Sequence, residues 1–401
     1  MLKNVYVAGG VRTPFGSFNG SLSSMSAAAL GRVAIRNALL RAGACGGDVD
    51  EALFGDVDEV LFGNVIGAGV GQNVARQASL GAGLAREVGA TTINKVCGSS
   101  MRAVILGAQA IQCGDADLVV AGGCESMSNA PYLLPKARRG YRMGHGELID
   151  AMIHDGLWDV YTDRHMGSCG DQCAVKYNIT RDDQDTYAIE SYRRALRRWE
   201  DGFYRDAVVP VEVTTRKGSV TVARDEDVDK FQGDDKLRQL RPAFGPESTV
   251  TAGNASGIND GAAAMIVFGD AKKASRGLTP AARILGHANV AMEPDWFTIA
   301  PIHAIRRLCE RVSLSLGDVD LFEINEAFAV VALVAIRELK LDREKVNVAG
   351  GAVAIGHPIG ATGARIINTL VHALKTHDKR IGIACLCIGG GEASAIALER
   401  C

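Results

Sequence analysis

The chain has 401 residues, of which 47% are hydrophobic, so it is long and apolar enough to build more than one packed core. Its 44 basic and 46 acidic residues give a formal net charge of −2. Because no excess of positive charge attracts phosphate groups, this balance argues against nucleic acid and anionic membranes as partners. The ten cysteines form no Cys-x-x-Cys pair, so burial is the default expectation for each and a metal site is not expected.

The two ends of the chain carry no targeting signal. Residues 1–7 run directly into a strand pattern and lack the features of a secretory signal peptide. Residues 399–401 form no peroxisomal address, and no apolar run approaches the length of a transmembrane helix. We therefore expect a cytoplasmic enzyme.

One sequence unit occurs twice. Residues 56–64 (DVDEVLFGN) resemble residues 318–325 (DVDLFEIN), and each segment leads, about one βα unit later, to a reactive residue with glycine neighbours. The first segment ends 33 positions before Cys97, and the second ends 32 positions before His357. This spacing predicts a duplicated structural unit.

Each copy continues with an amphipathic helix and an apolar strand. Apolar residues recur at helical spacing over 101–111 in the first copy and over 364–374 in the second. The strands that follow, at 118–123 and 381–391, are continuously apolar and end in glycines. Such strands between helices are typical of mixed sheets covered on both faces. We predict an α/β fold of two duplicated mixed-sheet domains in a layered arrangement, with the chemistry at their shared edge.

A more polar stretch separates the two copies and includes a strongly helical segment near residues 181–200. It predicts an insertion laid over the site. The expected organisation is an N-terminal domain at 1–124 plus 250–275, an inserted loop domain at 125–249, and a C-terminal domain at 276–401.

Cys97 lies in the segment NKVCGSS, at 94–100, between a short strand and the first amphipathic helix. A cysteine at this junction meets the positive end of the helix dipole and free backbone N–H groups, both of which favour the thiolate. The flanking glycine and serines leave room for a substrate. A buried structural cysteine is the alternative, but the position favours a nucleophile.

Three residues of the second copy are further candidates. His357 lies in a fourteen-residue segment, 350–363, with five glycines and one proline. This much backbone constraint suggests that the histidine is held in a fixed orientation, and a histidine can act as the base that deprotonates a cysteine. Cys385 and Cys387 share one face of the last strand, and burial is the alternative for both, but only Cys387 adjoins the triple glycine where a ligand can approach. Asn325 fits the N-cap of the next helix, and its amide also suits a water molecule or an oxyanion.

Four motifs together resemble the thiolase family: CGS at 97–99, NEAF at 325–328, GHP at 356–358 and CIGGG at 387–391. The similarity runs the whole length of the chain and also includes RTPFG at 12–16, GQN at 71–73 and ASGINDG at 255–261. This resemblance implies a thiolase-like fold and an acyltransferase. The implied reaction condenses two acetyl-CoA to acetoacetyl-CoA and CoA, or cleaves short 3-oxoacyl-CoA thioesters with CoA.

The resemblance implies a role for each candidate. Cys97, deprotonated by His357, would carry the acyl group, and Cys387 would move the proton of the second substrate. One oxyanion hole would pair His357 with a water held by Asn325. The other would use the backbone N–H groups of Cys97 and Gly389.

The resemblance also implies contacts and an assembly. The side chains that would line the pantetheine channel of CoA are Leu157, His165, Met166, Ser256 and Phe328. A homotetramer is implied, and no cofactor is required, because the CoA thioesters are substrates. A potassium ion is suggested only by the position of Tyr187. Ser100 departs from the glycine common in the family, and we expect it to tighten the turn after Cys97.

Other functions compete with this one. A ketosynthase-like condensing enzyme would have a second histidine in place of Cys387. A non-catalytic acyl-CoA or lipid-binding relative would have lost at least one of the four catalytic positions, and all four are present. A broader 3-ketoacyl-CoA thiolase of β-oxidation stays open.

Overall fold

Long apolar strands form the centre of the molecule. The computed structural model describes residues 3–45, 48–49, 51–216 and 218–401, so residues 1–2 of the expected N-terminal strand pattern lie outside the described residues. The described strands are β1 (Val5–Arg12), β2 (Gly16–Ser17), β3 (Ala44–Cys45), β4 (Asp48–Val49), β5 (Glu59–Gly63), β6 (Gly89–Ile93), β7 (Leu118–Ser126), β8 (Tyr132–Leu133), β9 (Ile149–Asp150), β10 (Trp158–Asp159), β11 (Arg164–His165), β12 (Val211–Thr215), β13 (Gly218–Val222), β14 (Asn259–Gly269), β15 (Ala282–Ala291), β16 (Leu321–Ile324), β17 (Ile381–Ile388) and β18 (Glu392–Arg400).

Helices connect and cover these strands. The described α-helices are α1 (Ala27–Ala42), α2 (Val74–Ala82), α3 (Ser99–Cys113), α4 (Met166–Tyr177), α5 (Arg181–Glu200), α6 (Phe203–Ala207), α7 (Asp234–Arg238), α8 (Asp270–Arg276), α9 (Ala300–Val312), α10 (Ala329–Leu339), α11 (Ala352–Ile355) and α12 (Thr362–Thr376). In the described part of the chain, none of the helices is both long and apolar enough to cross a bilayer.

The order of the main sheet shows the duplication. Over the described residues this ten-stranded sheet has the order β16-β17-β18-β15-β1-β14-β7-β5-β6, with β2 beside β14. The run β16-β17-β18-β15 has the same pairing as the run β5-β7-β14-β1: one parallel pair followed by two antiparallel pairs. The two runs join edge to edge where β1 pairs with β15 at Val7 and Ala282. The repeat predicted from the sequence is therefore a repeat of strand order.

Helices on both faces of each half give the layered arrangement. Alternate residues of β7 point to opposite faces: Leu118 and Val120 pack with α1 and α2, whereas Val119 and Ala121 pack with α3. In the other half, α9 and α10 cover the outer face and α12 the inner one. Helices α3 and α12 meet between the halves. The predicted helical periodicities are confirmed, because the apolar positions that defined them are buried in both helices.

A glycine lets the two halves approach closely. A Cβ on Gly123 of β7 would lie 2.0 Å from the carbonyl oxygen of Gly360, which immediately precedes the turn into α12. Close by, the hydroxyl of Ser100 accepts a hydrogen bond from the N–H of Ala364 at 2.9 Å. The serine that departs from the family pattern therefore links α3 to α12.

Between Ser126 and Asn259 the chain leaves the main sheet. The longest helix of this segment is α5, which begins with a capping box and confirms the helix predicted near residues 181–200. The segment is linked to β1 by a buried ion pair in which Arg12 binds both carboxylate oxygens of Asp225, at 2.6 and 2.8 Å. A bidentate pair of this kind fixes orientation as well as position.

We expect Gly123→Ala to destabilise the protein, because the new methyl group must displace the backbone of Gly360. Overpacking of a dense core costs about 1–3 kcal/mol, which should lower the urea midpoint of unfolding with little change in slope. Gly89→Ala in β6 is the matched control, since nothing lies within 4 Å of a Cβ added there. Equal urea midpoints for the two variants would contradict this packing argument.

Candidate active site

Cys97 lies in a tight turn between β6 and α3. Val96, the residue before it, has φ +47°, a left-handed conformation that β-branched residues rarely adopt. Ser99 stabilises the turn, since its hydroxyl accepts from the N–H of Lys95 at 2.9 Å and donates to the carbonyl oxygen of Val96 at 2.7 Å. Such backbone strain costs about 1–3 kcal/mol and is found mainly where function requires it. The backbone therefore fixes the position of the sulfur.

The thiol of Cys97 is buried, with only 5% of the residue exposed. Burial raises the pKa of this thiol to about 11, although the N–H groups of Gly389 and of Cys97 itself bond to the sulfur and lower it. The expectation that backbone N–H groups at this junction favour the thiolate agrees in direction with their effect on the pKa, but the net pKa is raised. The backbone donors are present, but desolvation outweighs them.

His357 is a neutral base. Its Nδ1 lies 2.6 Å from the hydroxyl oxygen of Thr362, and that hydroxyl donates to the carbonyl oxygen of Pro358 at 2.9 Å. Because the hydroxyl has a single proton, Nδ1 carries the ring proton and Nε2 keeps a free lone pair. Burial, and then the charge of Arg365, lowers the pKa of His357 to about 3.

Asn325 does not cap a helix, and the N-cap interpretation is wrong. It directly follows β16, and α10 begins only at Ala329, with Phe328 in the N-cap position. The Asn325 amide instead accepts a hydrogen bond at Oδ1 from Arg365 Nη2, at 2.9 Å. Among the described residues, its Nδ2 has no hydrogen-bond partner although it is buried, and the same is true of His357 Nε2.

Cys387 lies close to the nucleophile. It shares a buried face of β17 with Cys385, as the alternation predicted. The next residue, Ile388, packs on the turn that follows Cys97, where a Cβ on Gly98 would lie 2.5 Å from its Cδ1. Burial raises the pKa of Cys387 well above its usual value, and the proximity of Cys97 raises it further. The pKa of Cys385 is raised by burial, without a contribution from Cys97.

A cavity of about 680 Å³ opens to the surface and includes His357 in its wall. Met166, which was expected in a CoA channel, does not line it. Its methyl group lies instead against Gly389, 2.9 Å from where a Cβ would stand. The other expected side chains do line the cavity: Leu157, His165, Ser256 and Phe328.

Several residues of the cavity wall carry no signal in the sequence. Phe244 stacks on His165 with ring centroids 4.5 Å apart. Phe231 and Lys236 also belong to the wall and come from the inserted segment. They lie in no motif and in no periodic pattern, so nothing in the sequence distinguishes them from other loop residues.

Tyr187, the position suggested for potassium, lies in a buried hydrogen-bond network. Its hydroxyl donates to Glu326 Oε1 at 2.8 Å and accepts from Asn347 Nδ2 at 3.1 Å. These two bonds engage the hydroxyl proton and one lone pair and leave the second lone pair of the oxygen, so the suggestion of a potassium ion at Tyr187 stays a prediction. Within the described ranges, no three or more His, Cys, Asp or Glu side chains are grouped to bind a metal ion.

Comparisons with known proteins agree over the whole chain. The thiolase N-terminal domain matches residues 5–271, and the thiolase C-terminal domain matches residues 278–400. Acetyl-CoA acetyltransferase 2 of Arabidopsis thaliana is 50% identical over 99% of this chain and 97% of its own length. The acetyl-CoA acetyltransferase of Escherichia coli K12 is 48% identical over 100% of both chains.

Two solved structures are similar throughout. The crystal structure of the Bacillus anthracis acetyl-CoA acetyltransferase has a TM-score of 0.95 at 40% identity and covers 100% of this chain and 99% of its own. A thiolase of Ascaris suum in complex with coenzyme A has a TM-score of 0.92 at 44% identity over 100% of both chains. The layered, duplicated α/β architecture predicted from the sequence is confirmed.

We expect alkylation of Cys97 by iodoacetamide to accelerate continuously from pH 7 toward pH 10, because a thiol with a pKa of about 11 gains thiolate over this whole range. The thiolate is the reactive form, so the rate should rise about tenfold per pH unit. Mass spectrometry of the peptide that contains Cys97 measures the rate of alkylation. The variant Cys97→Ser serves as the control that identifies labelling of other cysteines. A rate that is flat below pH 8 would show a thiolate–imidazolium pair and contradict the neutral pair.

Proposed function

This chain belongs to the thiolase family, and from that premise we propose that it is an acetyl-CoA C-acetyltransferase. It condenses two acetyl-CoA to acetoacetyl-CoA and CoA, and it catalyses the reverse cleavage. The observation that carries this proposal is the proximity of Cys97 and Cys387, which come from opposite halves of the sheet, in a protein that also keeps a free lone pair on His357 Nε2. Two cysteines provide one group for acyl transfer and one for proton transfer.

Acylation of Cys97 is the first half of the reaction. As the sulfur attacks the thioester carbonyl, its proton passes to His357 Nε2, and the same proton then leaves with the CoA sulfur. Since the thiol and the imidazole are both neutral, proton transfer accompanies the attack. The N–H groups of Gly389 and Cys97 support this step, because they can donate to the carbonyl oxygen as it becomes negative.

Carbon–carbon bond formation is the second half. Cys387 passes its own proton to His357 Nε2 as its sulfur removes a proton from the methyl group of a second acetyl-CoA, and the carbanion attacks the acyl carbon. The acyl–sulfur bond breaks, and the Cys97 sulfur takes the proton from His357. The enolate oxygen requires hydrogen-bond donors. The imidazole of His357 can provide one, and Asn325 Nδ2 can provide another through a water molecule. The hydroxyl of Thr362 is compatible with this role, because it accepts from Nδ1–H and so leaves Nε2 free to take up a proton and donate it to the enolate oxygen.

The cavity supports a CoA thioester as the ligand. Its wall is mainly apolar, which suits the pantetheine arm, and Leu157, His165, Ser256 and Phe328 are the contacts that we propose. Lys230 and Lys236 can form charge-assisted hydrogen bonds with the phosphate groups. Most of the wall belongs to residues 125–249 or to the segment immediately after them.

We further propose that residues 125–249 form a loop domain that also carries subunit contacts in a homotetramer. Exposed apolar side chains support this proposal: Met143 is 98% exposed, Tyr132 61% and Leu148 58%. Apolar side chains clustered at one surface commonly mark an interface. The return of the chain to the N-terminal half through β14 supports the proposed boundary near residue 250. The cytoplasmic location stays a prediction.

We expect the protein to convert acetoacetyl-CoA and CoA to acetyl-CoA, and Cys97→Ala to abolish this turnover. The variant should also lose the mass gain of one acetyl group that wild-type protein shows with acetyl-CoA, because it lacks the nucleophile. Cys113→Ala, at the exposed end of α3, is the control and should behave as wild type. No turnover by wild-type protein would refute the proposed function, and acetylation of Cys97→Ala would refute the nucleophile.

Cys387→Ser should keep acylation by acetyl-CoA and lose condensation. A hydroxyl is a much weaker acid than a thiol, so it gives up its own proton far less readily, and loss of a general acid–base group costs about 10²–10⁴ in rate. Protein mass measures acylation, and acetoacetyl-CoA formation measures condensation. Cys385→Ser, on the same strand face, is the matched control. If Cys387→Ser condenses as fast as this control, the assignment of proton transfer to Cys387 is wrong.

A further inference from the structure

A buried arginine lies behind the Asn325 amide. Glu323 and Asn325 are two residues apart along β16 and its continuation, so both face α12, which carries Arg365. Arg365 Nη2 donates to Asn325 Oδ1 at 2.9 Å, and its Nη1 lies 3.7 Å from Glu323 Oε2. All three residues are at most 2% exposed. Arginine is almost never fully buried unless it is paired, and here its partners are Asn325 and Glu323.

The bond from Arg365 determines which end of the amide is free. An asparagine side chain has an acceptor end and a donor end of nearly the same shape. The guanidinium has only donors, so it can bind Oδ1 and cannot bind Nδ2. The NH₂ group must therefore face away from Arg365, and there it is buried without a hydrogen-bond partner among the described residues.

His357 provides another buried polar atom without a partner among the residues that the structure describes. His357 Nε2 is also buried without a hydrogen-bond partner in the described part of the chain, and His357 lies in the cavity wall. A buried donor left unpaired costs about 1–3 kcal/mol, so it is retained where a ligand or water pairs with it. Glu323 Oε1 and Arg365 Nε are also buried without a hydrogen-bond partner among the described residues, but of these four residues only His357 lies in the cavity wall.

We propose that Arg365 is a positioning residue for the reaction: it orients the Asn325 amide so that NH₂, and not the carbonyl oxygen, is presented to the substrate oxygen, directly or through water. This inference rests on the proposed function. A flipped amide would place a partial negative charge against an oxygen that becomes negative during condensation. Arg365 prevents that flip.

The charges around Arg365 are consistent with this role. Burial is the main cause that raises the pKa of Glu323, while Arg365 opposes the rise. Arg365 Nη1 lies 3.7 Å from Glu323 Oε2, which is longer than a hydrogen bond, so this neighbour compensates the guanidinium charge only in part. The guanidinium charge acts on the surrounding site, where it lowers the pKa of His357 and favours negative charge on a substrate oxygen.

A double-mutant cycle on the full-length protein tests the proposal. We expect Arg365→Met to lower kcat for acetoacetyl-CoA thiolysis by about 10²–10³, the usual effect of losing one oxyanion donor. KM should change little, because Arg365 is not part of the cavity wall. Asn325→Ala should show a similar loss. Adding Arg365→Met to Asn325→Ala should cost little more, because the amide that Arg365 orients is already absent.

Additive losses in the cycle would overturn the proposal, since a residue that only supports the fold lowers kcat regardless of Asn325. Wild-type kcat in a folded Arg365→Met variant would also overturn it. If Arg365→Met does not fold, Arg365→Lys keeps the buried charge and removes the guanidinium, and the cycle with Asn325→Ala is read in the same way. No turnover by wild-type protein would refute the proposed function instead, so the two failures are distinguishable.

Discussion

The mutual placement of the reacting groups depends on one buried carboxylate that joins the two halves of the molecule. Glu125, in β7, accepts hydrogen bonds from the N–H groups of Val65 and Ile66 in its own half, at 3.0 and 3.2 Å. It also accepts one from the N–H of Gly360, three residues after His357 in the other half, at 3.0 Å. Burial raises the pKa of Glu125 to about 7, and these backbone bonds oppose the rise. Removing a partner from a buried charge is costly, so the histidine turn is held in register with the nucleophile turn.

Burial also explains why the reacting groups are neutral. Desolvation raises the pKa of Cys97 and lowers that of His357, so a separated thiolate and imidazolium are unfavourable in the folded protein. The same low dielectric strengthens hydrogen bonds to a charge that develops on the substrate. The N–H groups of Gly389 and Cys97 are already oriented by the backbone, so they stabilise an oxyanion without reorganisation. The site therefore disfavours charge on its own side chains and favours it on the substrate.

Local patterns in the sequence predicted the helices and strands. The properties that depend on long-range packing, such as burial and hydrogen-bond partners, could not be predicted from these patterns. The helices after Cys97 and His357 were predictable because their apolar spacing is a property of a few consecutive turns. The pKa of Cys97 was not predictable from such local spacing, because the burial of its thiol depends on neighbours from both halves of the chain. Asn325 was misassigned as a cap because the end of a short strand and the start of a helix look alike in sequence. The sequence does not distinguish Arg365, because its partner is 40 positions away and no periodicity marks it.

Corresponding positions of the duplicated unit show how similar halves acquired different chemistry. Asn64 directly follows β5, and Asn325 directly follows the equivalent strand β16. Asn64 Nδ2 donates to Glu125 Oε1 at 2.8 Å, so its donor end is satisfied by a carboxylate. Asn325 has a guanidinium at its acceptor end, so its donor end is free. The sign of one buried charge behind each amide decides whether that amide supports the scaffold or is available to a substrate. The nucleophile and the free amide therefore come from different copies, and the reaction requires both halves of the sheet.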